Sequence, residues 1–157
     1  MHKERRSIQL GDVFELETPK GLAYLQYAYY DPQMGELIRV APGTYGTRPA
    51  NLATVIAGCE IFYTFFPLAT ALKQKIIRRI SNYEIPVHVA RPPVLRSPGR
   101  VNMTSKRIEN WWLWDGVRSW PVNELTEEQK KLSVKAIWND TLLVDRIVNG
   151  WRPSDYE

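Results

Sequence analysis

Two histidines and one cysteine are the side chains best suited to metal or nucleophilic chemistry in this sequence of 157 residues. His2 lies near the start, His88 lies in a proline-rich stretch, and neither has a second histidine at ligand spacing. Cys59 stands alone, so it can form neither an internal disulfide nor a cysteine-rich zinc site. Its mainly apolar neighbours predict a buried, unreactive thiol. These residues therefore predict no metal site and no thiol chemistry.

Paired carboxylates are the remaining route to acid–base chemistry. Glu15 and Glu17 lie on one face of a predicted strand, and Asp12 and Glu36 lie beside predicted turns. Charge on an edge strand is the commoner explanation of such acids. The sequence also contains no zinc-protease helix motif, no phosphate-binding glycine loop and no serine-nucleophile motif. We expect a binding protein without a cofactor, and an enzyme with an unrecognised site is the alternative.

Positive charge is concentrated in residues 73–107, which contain nine Lys or Arg and one acid and so carry a net charge of +8. The whole chain carries +4, and residues 108–157 carry −3. Such a segment suits an acidic protein partner or nucleic acid, and a solvated basic loop is the alternative. An aromatic ring beside the arginines could stack on a base. The predicted partner-binding residues are Arg78, Arg79, Tyr83, Arg91, Arg96 and Arg100.

The elements that must position these residues follow from the pattern of apolar residues and turn signals. The length predicts one domain, residues 1–157, with a flexible tail over 1–8. Alternating residues and short turns predict an antiparallel meander, followed by two more strands and a short helix. The strands are expected at 12–16, 22–30, 37–40, 61–66 and 76–80, and the helix at 67–73. Five prolines or glycines make 81–109 a long, basic, proline-rich loop.

A tryptophan-rich hairpin is the clearest local prediction, over residues 111–120. Asp115-Gly116 predicts a two-residue turn that places Trp114 opposite Val117. Trp112 and Trp114 would share one side, and both are expected in the core. A capping box at 126–129 predicts a short helix, and 140–149 predicts another that Gly150 ends, with a strand as the alternative. The expected fold class is α+β: a mostly antiparallel twisted or barrel-like sheet with two or three short helices.

The cellular location follows from what the sequence lacks. No apolar signal core follows the charged first residues, and the longest mainly apolar stretch, 61–72, is too short to cross a bilayer. A single thiol suits a reducing compartment. We therefore expect a cytoplasmic protein outside the membrane.

Several segments resemble the immunity protein 26 family of bacterial polymorphic-toxin systems. The opening Gly11-Asp12-Val13-Phe14-Glu15-Leu16, then a turn and Gly21-Leu22-Ala23-Tyr24, is similar to the family's first two strands. The segment Thr64-Phe65-Phe66-Pro67-Leu68 and the tryptophan-rich hairpin with Asp115-Gly116 are also similar.

The resemblance implies a small, mostly β antitoxin that binds and neutralises a cognate protein toxin. It supplies no toxin-contact residues. Charge complementarity accelerates such binding, so the +8 segment would suit an acidic toxin surface better than the cationic groove of a nuclease. The alternative function is a nucleic-acid-binding β module that uses the basic segment 73–107.

Overall fold

The structure, a computed structural model, describes residues 7–156. Residues 1–6 of the predicted tail lie outside this range, but Ile8 packs partly buried against the main hydrophobic core. Within the described residues, eight antiparallel strands in two sheets and three short helices give the α+β fold that the sequence predicts. The strands are β1 (Asp12–Thr18), β2 (Gly21–Asp31), β3 (Gly35–Val40), β4 (Phe62–Phe65), β5 (Ile77–Asn82), β6 (Leu95–Pro98), β7 (Trp111–Trp114) and β8 (Ser119–Val122). The helices are α1 (Leu52–Ala57), α2 (Leu68–Lys73) and α3 (Asp140–Val148).

The first sheet has five strands in the order β4-β3-β2-β1-β5. β1, β2 and β3 form the predicted meander, with pairs such as Phe14–Leu25 and Tyr27–Ile38 in register. Apolar residues on one face of this sheet pack against α2, α3 and two tryptophans, Trp138 and Trp151. This face holds the largest core cluster because alternate residues of neighbouring strands point to the same side.

The opposite face of the first sheet is covered by α1, which the sequence analysis did not predict. Leu52 and Ile56 of α1 pack on Val13 and Tyr24 of the sheet. The residue before the helix, Asn51, makes no side-chain capping bond. A six-residue helix without a cap gives little local signal, so its existence depends on tertiary packing.

The second sheet has the order β6-β7-β8, and residues 133–138 connect it to the first sheet. The backbone of this connecting segment binds β6 through Arg96 N–Ser133 O at 3.0 Å and Lys135 N–Arg96 O at 2.7 Å. It binds β4 through Phe65 N–Ala136 O at 3.1 Å and Trp138 N–Phe65 O at 3.0 Å. The two sheets are not closed, so the barrel-like form of the prediction is not what the chain adopts.

The hairpin of β7 and β8 has a longer turn than predicted. Trp114 pairs with Ser119, not with Val117, and Asp115 to Arg118 form a four-residue loop. The carboxylate of Asp115 accepts hydrogen bonds from the backbone N–H groups of Val117 and Arg118 at 2.9 and 2.7 Å, which widens the turn. The observed register therefore differs from the predicted one by two residues. Trp112 and Trp114 are two positions apart on one strand, so they share one side as predicted. Trp114 is buried as expected, whereas Trp112 is 39% exposed, which corrects its predicted place in the core.

Three further local predictions have clear outcomes. The capping box joins Thr126 and Gln129 as predicted, but the helix it begins is a 3₁₀ turn, Gln129–Lys131. Residues 140–148 form the predicted helix, not a strand, and the side chain of Asn139 caps it. Gly150 follows α3 with a φ of +65°, the left-handed exit that the sequence predicts.

No helix within residues 7–156 combines the length and the apolar composition that crossing a bilayer requires.

Candidate interaction surface

Three of the predicted partner-binding residues lie at one edge of the first sheet. Arg78 and Arg79 belong to β5, and Tyr83 follows directly after it. Arg78 is exposed, whereas Arg79 is partly buried and forms an ion pair with Asp12, with Nε and Oδ2 at 3.4 Å. The structure therefore keeps Arg78 available to a partner and engages Arg79 with a buried carboxylate.

Arg96 lies in the interior, which removes it from the predicted set of partner-binding residues. Its side chain is 1% exposed. The guanidinium donates to three backbone carbonyls, those of Leu132, Lys130 and Pro153, at 2.9, 3.2 and 2.6 Å. It also lies over the ring of Trp111, 4.4 Å from the centroid. Arg96 thus fastens the C-terminal segment to the second sheet, and burial lowers its pKa.

The remaining two predicted arginines, Arg91 and Arg100, are exposed and lie outside β5. Arg100 follows β6 in the second sheet, whereas Arg78 lies on β5 of the first. The second sheet reaches the first through β4, and β5 is the strand at the other end of that sheet. The basic segment 73–107 is therefore divided between the two sheets.

Residues 99–110 form a basic arm that extends the hairpin of β6 and β7. The sequence analysis assigned 81–109 to a loop, but the structure has β6 within it and a pairing of Val101 with Ile108 beyond it. Prolines flank β6 instead of interrupting it, since Pro92 and Pro93 precede the strand and Pro98 is its last residue. The ladder continues through Gly99 N–Asn110 O at 2.9 Å and Asn102 N–Arg107 O at 2.8 Å.

The tip of the basic arm is ordered by one asparagine. The side-chain oxygen of Asn102 accepts the backbone N–H groups of Thr104 and Ser105, both at 2.9 Å, as Asx turns do. Its amide nitrogen donates to Glu109 at 2.9 Å. Lys106 completes the turn in the left-handed region, with a φ of 61°. These bonds connect the residues of the tip to one another and to the second strand of the arm.

Exposed apolar groups accompany the charges of the basic arm. Met103 at the tip is 76% exposed and Val101 is 44% exposed. At the base of the arm, Trp112 is exposed beside Pro121, its register partner on β8. Arg100, Lys106 and Arg107 of the arm are also exposed, against one acid of the arm, Glu109. The register places Arg100 and Arg107 on the face of the ribbon opposite to Val101 and Trp112. We call Val101, Met103, Trp112 and Pro121, together with these three cations, the arm surface.

The composition of the arm surface is that of an interaction site. Tryptophan, methionine and arginine are enriched where proteins bind proteins, and a partly exposed tryptophan is a frequent hot spot. An ordered arm also loses little conformational entropy on binding. Sequence analysis missed Met103 and Trp112 because it treated the first as loop and the second as core. The Asn102 turn, with a short polar side chain before Thr and Ser, was the local signal that could have revealed the arm.

Glu15, one of the carboxylates considered for acid–base chemistry, has structural partners. The sequence predicted that Glu15 lies on an edge strand. In the structure β1 lies between β2 and β5, so this prediction about Glu15 is wrong. Its carboxylate accepts hydrogen bonds from Tyr24 Oη at 2.9 Å and Arg48 Nε at 2.8 Å. The Arg48 bond lowers the pKa of Glu15. Burial, and then the bond to Glu15, raises the pKa of Tyr24 to about 12.

The histidine and the cysteine also have defined surroundings. His88 contacts Glu60, with Nε2 and Oε2 at 3.0 Å, and Glu60 lies 3.7 Å from Arg39. Cys59 is exposed, which corrects the buried thiol that the sequence predicts. Its apolar neighbours belong to α1 and β4, whereas Cys59 lies in the turn between them. Within residues 7–156, no three His, Cys, Asp or Glu side chains are grouped as a metal site needs.

Comparison of the chain with protein-family models, with curated proteins and with solved structures found no significant match.

Proposed function

We propose that this chain is a non-catalytic protein-binding inhibitor of the immunity type, which binds and neutralises a cognate bacterial toxin in the cytoplasm. The arm surface is the observation that carries this proposal. It presents an exposed tryptophan and methionine on a hairpin arm that also carries three exposed cations, which is the composition of a protein-binding hot spot. The opening strands that resemble immunity protein 26 add the toxin-neutralising role.

The chemistry of the arm surface favours an acidic partner with an apolar recess. Trp112 and Met103 would fill the recess, and desolvating such side chains supplies most of the affinity in typical interfaces. Arg100, Lys106 and Arg107 would lie against carboxylates around it and raise the association rate. The partner is therefore a protein whose binding face combines acidic residues with an apolar pocket.

Nucleic acid is the alternative partner, and the distribution of the basic residues gives it less support. Several phosphates along a backbone require a continuous run of exposed cations. Here Arg96 is buried, and Arg78 and Arg100 lie in different sheets. Salt dependence separates the two partners, since affinity for nucleic acid falls by orders of magnitude between about 50 and 200 mM salt when several phosphates are contacted.

Coexpression with the protein encoded beside this gene, which the proposal expects to be the toxin, tests the proposal. We expect the chain to restore growth of cells that express the toxin, and the purified pair to bind with a Kd tighter than about 1 μM. The control is the same chain with Trp112→Ala and Met103→Ala, which should rescue poorly although it folds. No binding at micromolar concentration, with normal folding of both proteins, would refute the proposed function.

A further inference from the structure

A cleft of about 720 Å³ lies between residues Ser7 and Ile8, helix α2 and strand β5, away from the arm surface. Ile8, Ala69 and Leu72 supply its apolar lining. Lys73, Lys75 and Arg79 supply three cations, and Glu36 supplies an acid. The volume is in the range of small-molecule sites, which are mainly apolar with a few placed polar groups. The lining therefore combines an apolar surface with net positive charge.

Lys75 holds its cation at this cleft in a costly backbone conformation. Its φ is 60°, a left-handed conformation that a side chain with a Cβ disfavours. The position ends α2: Lys75 N donates to Leu72 O at 3.0 Å and Ile76 N donates to Ala71 O at 2.9 Å. Helices usually place glycine here. An unfavourable lysine at such a position suggests that its charge has a use, since strained residues concentrate at binding sites.

An alternative explanation is that these cations only offset the dipole of α2. Lys73 lies in the last turn of the helix, where a cation is favourable. Lys75 lies beyond that turn, and glycine would end the helix without steric cost. Helix stability therefore explains Lys73 but does not explain the choice of lysine at 75.

We propose that this cleft binds a small anionic amphiphile, a carboxylate or phosphate head on a short apolar chain. The apolar chain would lie on Ile8, Ala69 and Leu72. The head would lie among Lys73, Lys75 and Arg79, where Arg79 is positioned by its ion pair with Asp12. This site is separate from the arm surface, so it does not depend on the proposed toxin partner.

Titration of the full chain with octanoate, followed by the backbone amide signals in NMR, tests the site. We expect saturable shifts at Leu72, Lys75 and Arg79, and a Kd of about 1 mM or tighter for a chain of this length. Affinity should rise about three-fold per methylene from butanoate to octanoate. Octyl phosphate distinguishes the two head groups, whereas 1-octanol and inorganic phosphate each test one half of the ligand and should bind at least about ten-fold more weakly.

The chain offers a matched pair of variants, since its two non-glycine residues with positive φ within 7–156 are both lysines, Lys75 and Lys106. Lys75→Gly and Lys106→Gly each remove one charge and relieve the same backbone conformation. We expect Lys75→Gly to weaken octanoate binding about two- to five-fold and Lys106→Gly to leave it unchanged. The double change Lys73→Gln with Lys75→Gly should weaken it about ten-fold.

Several results would overturn the cleft proposal. One is the absence of saturable shifts up to about 10 mM of octanoate and of octyl phosphate. Equal affinities for octanoate and 1-octanol would show that the cations do not contribute. Equal affinities for octyl phosphate and inorganic phosphate would show that the apolar lining does not contribute to binding. Equal weakening by Lys75→Gly and Lys106→Gly would show a response to net charge and no site. A chain that binds octanoate but no toxin would refute only the proposed function.

Discussion

Glu15 shows how a residue that suggested chemistry in the sequence serves the fold. The sequence predicted its strand and its face, but not Arg48, which is 33 residues away in the chain. A local pattern cannot reveal a partner that only the tertiary fold brings near. Arg96 gives the same lesson: it lies in a basic, proline-rich segment, yet the carbonyls it binds lie 34 to 57 residues further along.

Glu15→Gln should destabilise the protein by about 1–3 kcal/mol at neutral pH, because it weakens charge-assisted hydrogen bonds in a buried site. Glu17→Gln is the matched control on the same strand, since Glu17 is exposed, and should change stability by less than about 0.5 kcal/mol. Urea unfolding of both variants measures the difference. Equal effects of the two changes would contradict the role assigned to Glu15.

The pH dependence of the Glu15 contribution has a definite sign. The folded-state pKa of Glu15 is lowered, so its contribution is fully present above the unfolded pKa of about 4.3. It is lost as the pH falls through the lower, folded-state value. The stability difference between wild type and Glu15→Gln should thus be constant near neutral pH and shrink in acid. A difference that grows on acidification would have the wrong sign.

Arg96→Leu should cost about 2–4 kcal/mol, because three backbone carbonyls in the interior lose their donor. Arg100→Leu removes the same charge from an exposed position and should cost less than about 0.5 kcal/mol. Thermal or urea unfolding compares the two variants. Similar losses for both would place Arg96 at the surface, as the sequence analysis assumed, and would contradict its structural role.

At the scale of elements, the first sheet was predictable and its connections to the rest were not. The meander of β1 to β3 has alternating residues and short turns, which are local signals. Residues 133–138 have no such pattern, because their hydrogen bonds go to strands that are distant in the sequence. β6, among its prolines, and α1, in an uncapped segment, also lack a local pattern, because their formation depends on contacts with parts of the chain that are distant in the sequence.

Hydrogen exchange tests the connecting segment. The amides of Lys135 and Trp138 donate to backbone oxygens of β6 and β4, so we expect protection comparable with that of Phe65 in β4. The amide of Gly46, in the exposed loop before α1, serves as a fast-exchanging reference. Exchange of Lys135 and Trp138 as fast as Gly46 would show that the segment does not join the sheets.

The hairpin turn is tested by cross-strand NMR contacts. The four-residue loop predicts close backbone protons between Trp114 and Ser119 and between Trp112 and Pro121. A two-residue turn at Asp115-Gly116 would instead bring Trp114 against Val117. Finding the second set of contacts would restore the register expected from the sequence and would contradict the Asp115 turn.

At the scale of the whole molecule, the chain separates its candidate binding surfaces. Within residues 7–156, β5 pairs only with β1 and β8 only with β7, so these two edge strands belong to different sheets. The arm surface lies at the second sheet and the cleft lies by β5. Composition predicted the positive charge, but the division of that charge between the two ends depends on the order of the strands.

The affinity of the arm variants for the proposed partner, tested first with the protein encoded by the neighbouring gene, tests the central claim most directly. Trp112→Ala should weaken binding by about thirty-fold or more, as a hot-spot residue does, and Lys106→Gly should slow association. Val87→Ala, a change at a fully exposed apolar residue outside the arm, is the control and should leave the affinity unchanged. If Trp112→Ala changes the affinity no more than the control Val87→Ala does, the claim that the arm surface binds the partner is contradicted.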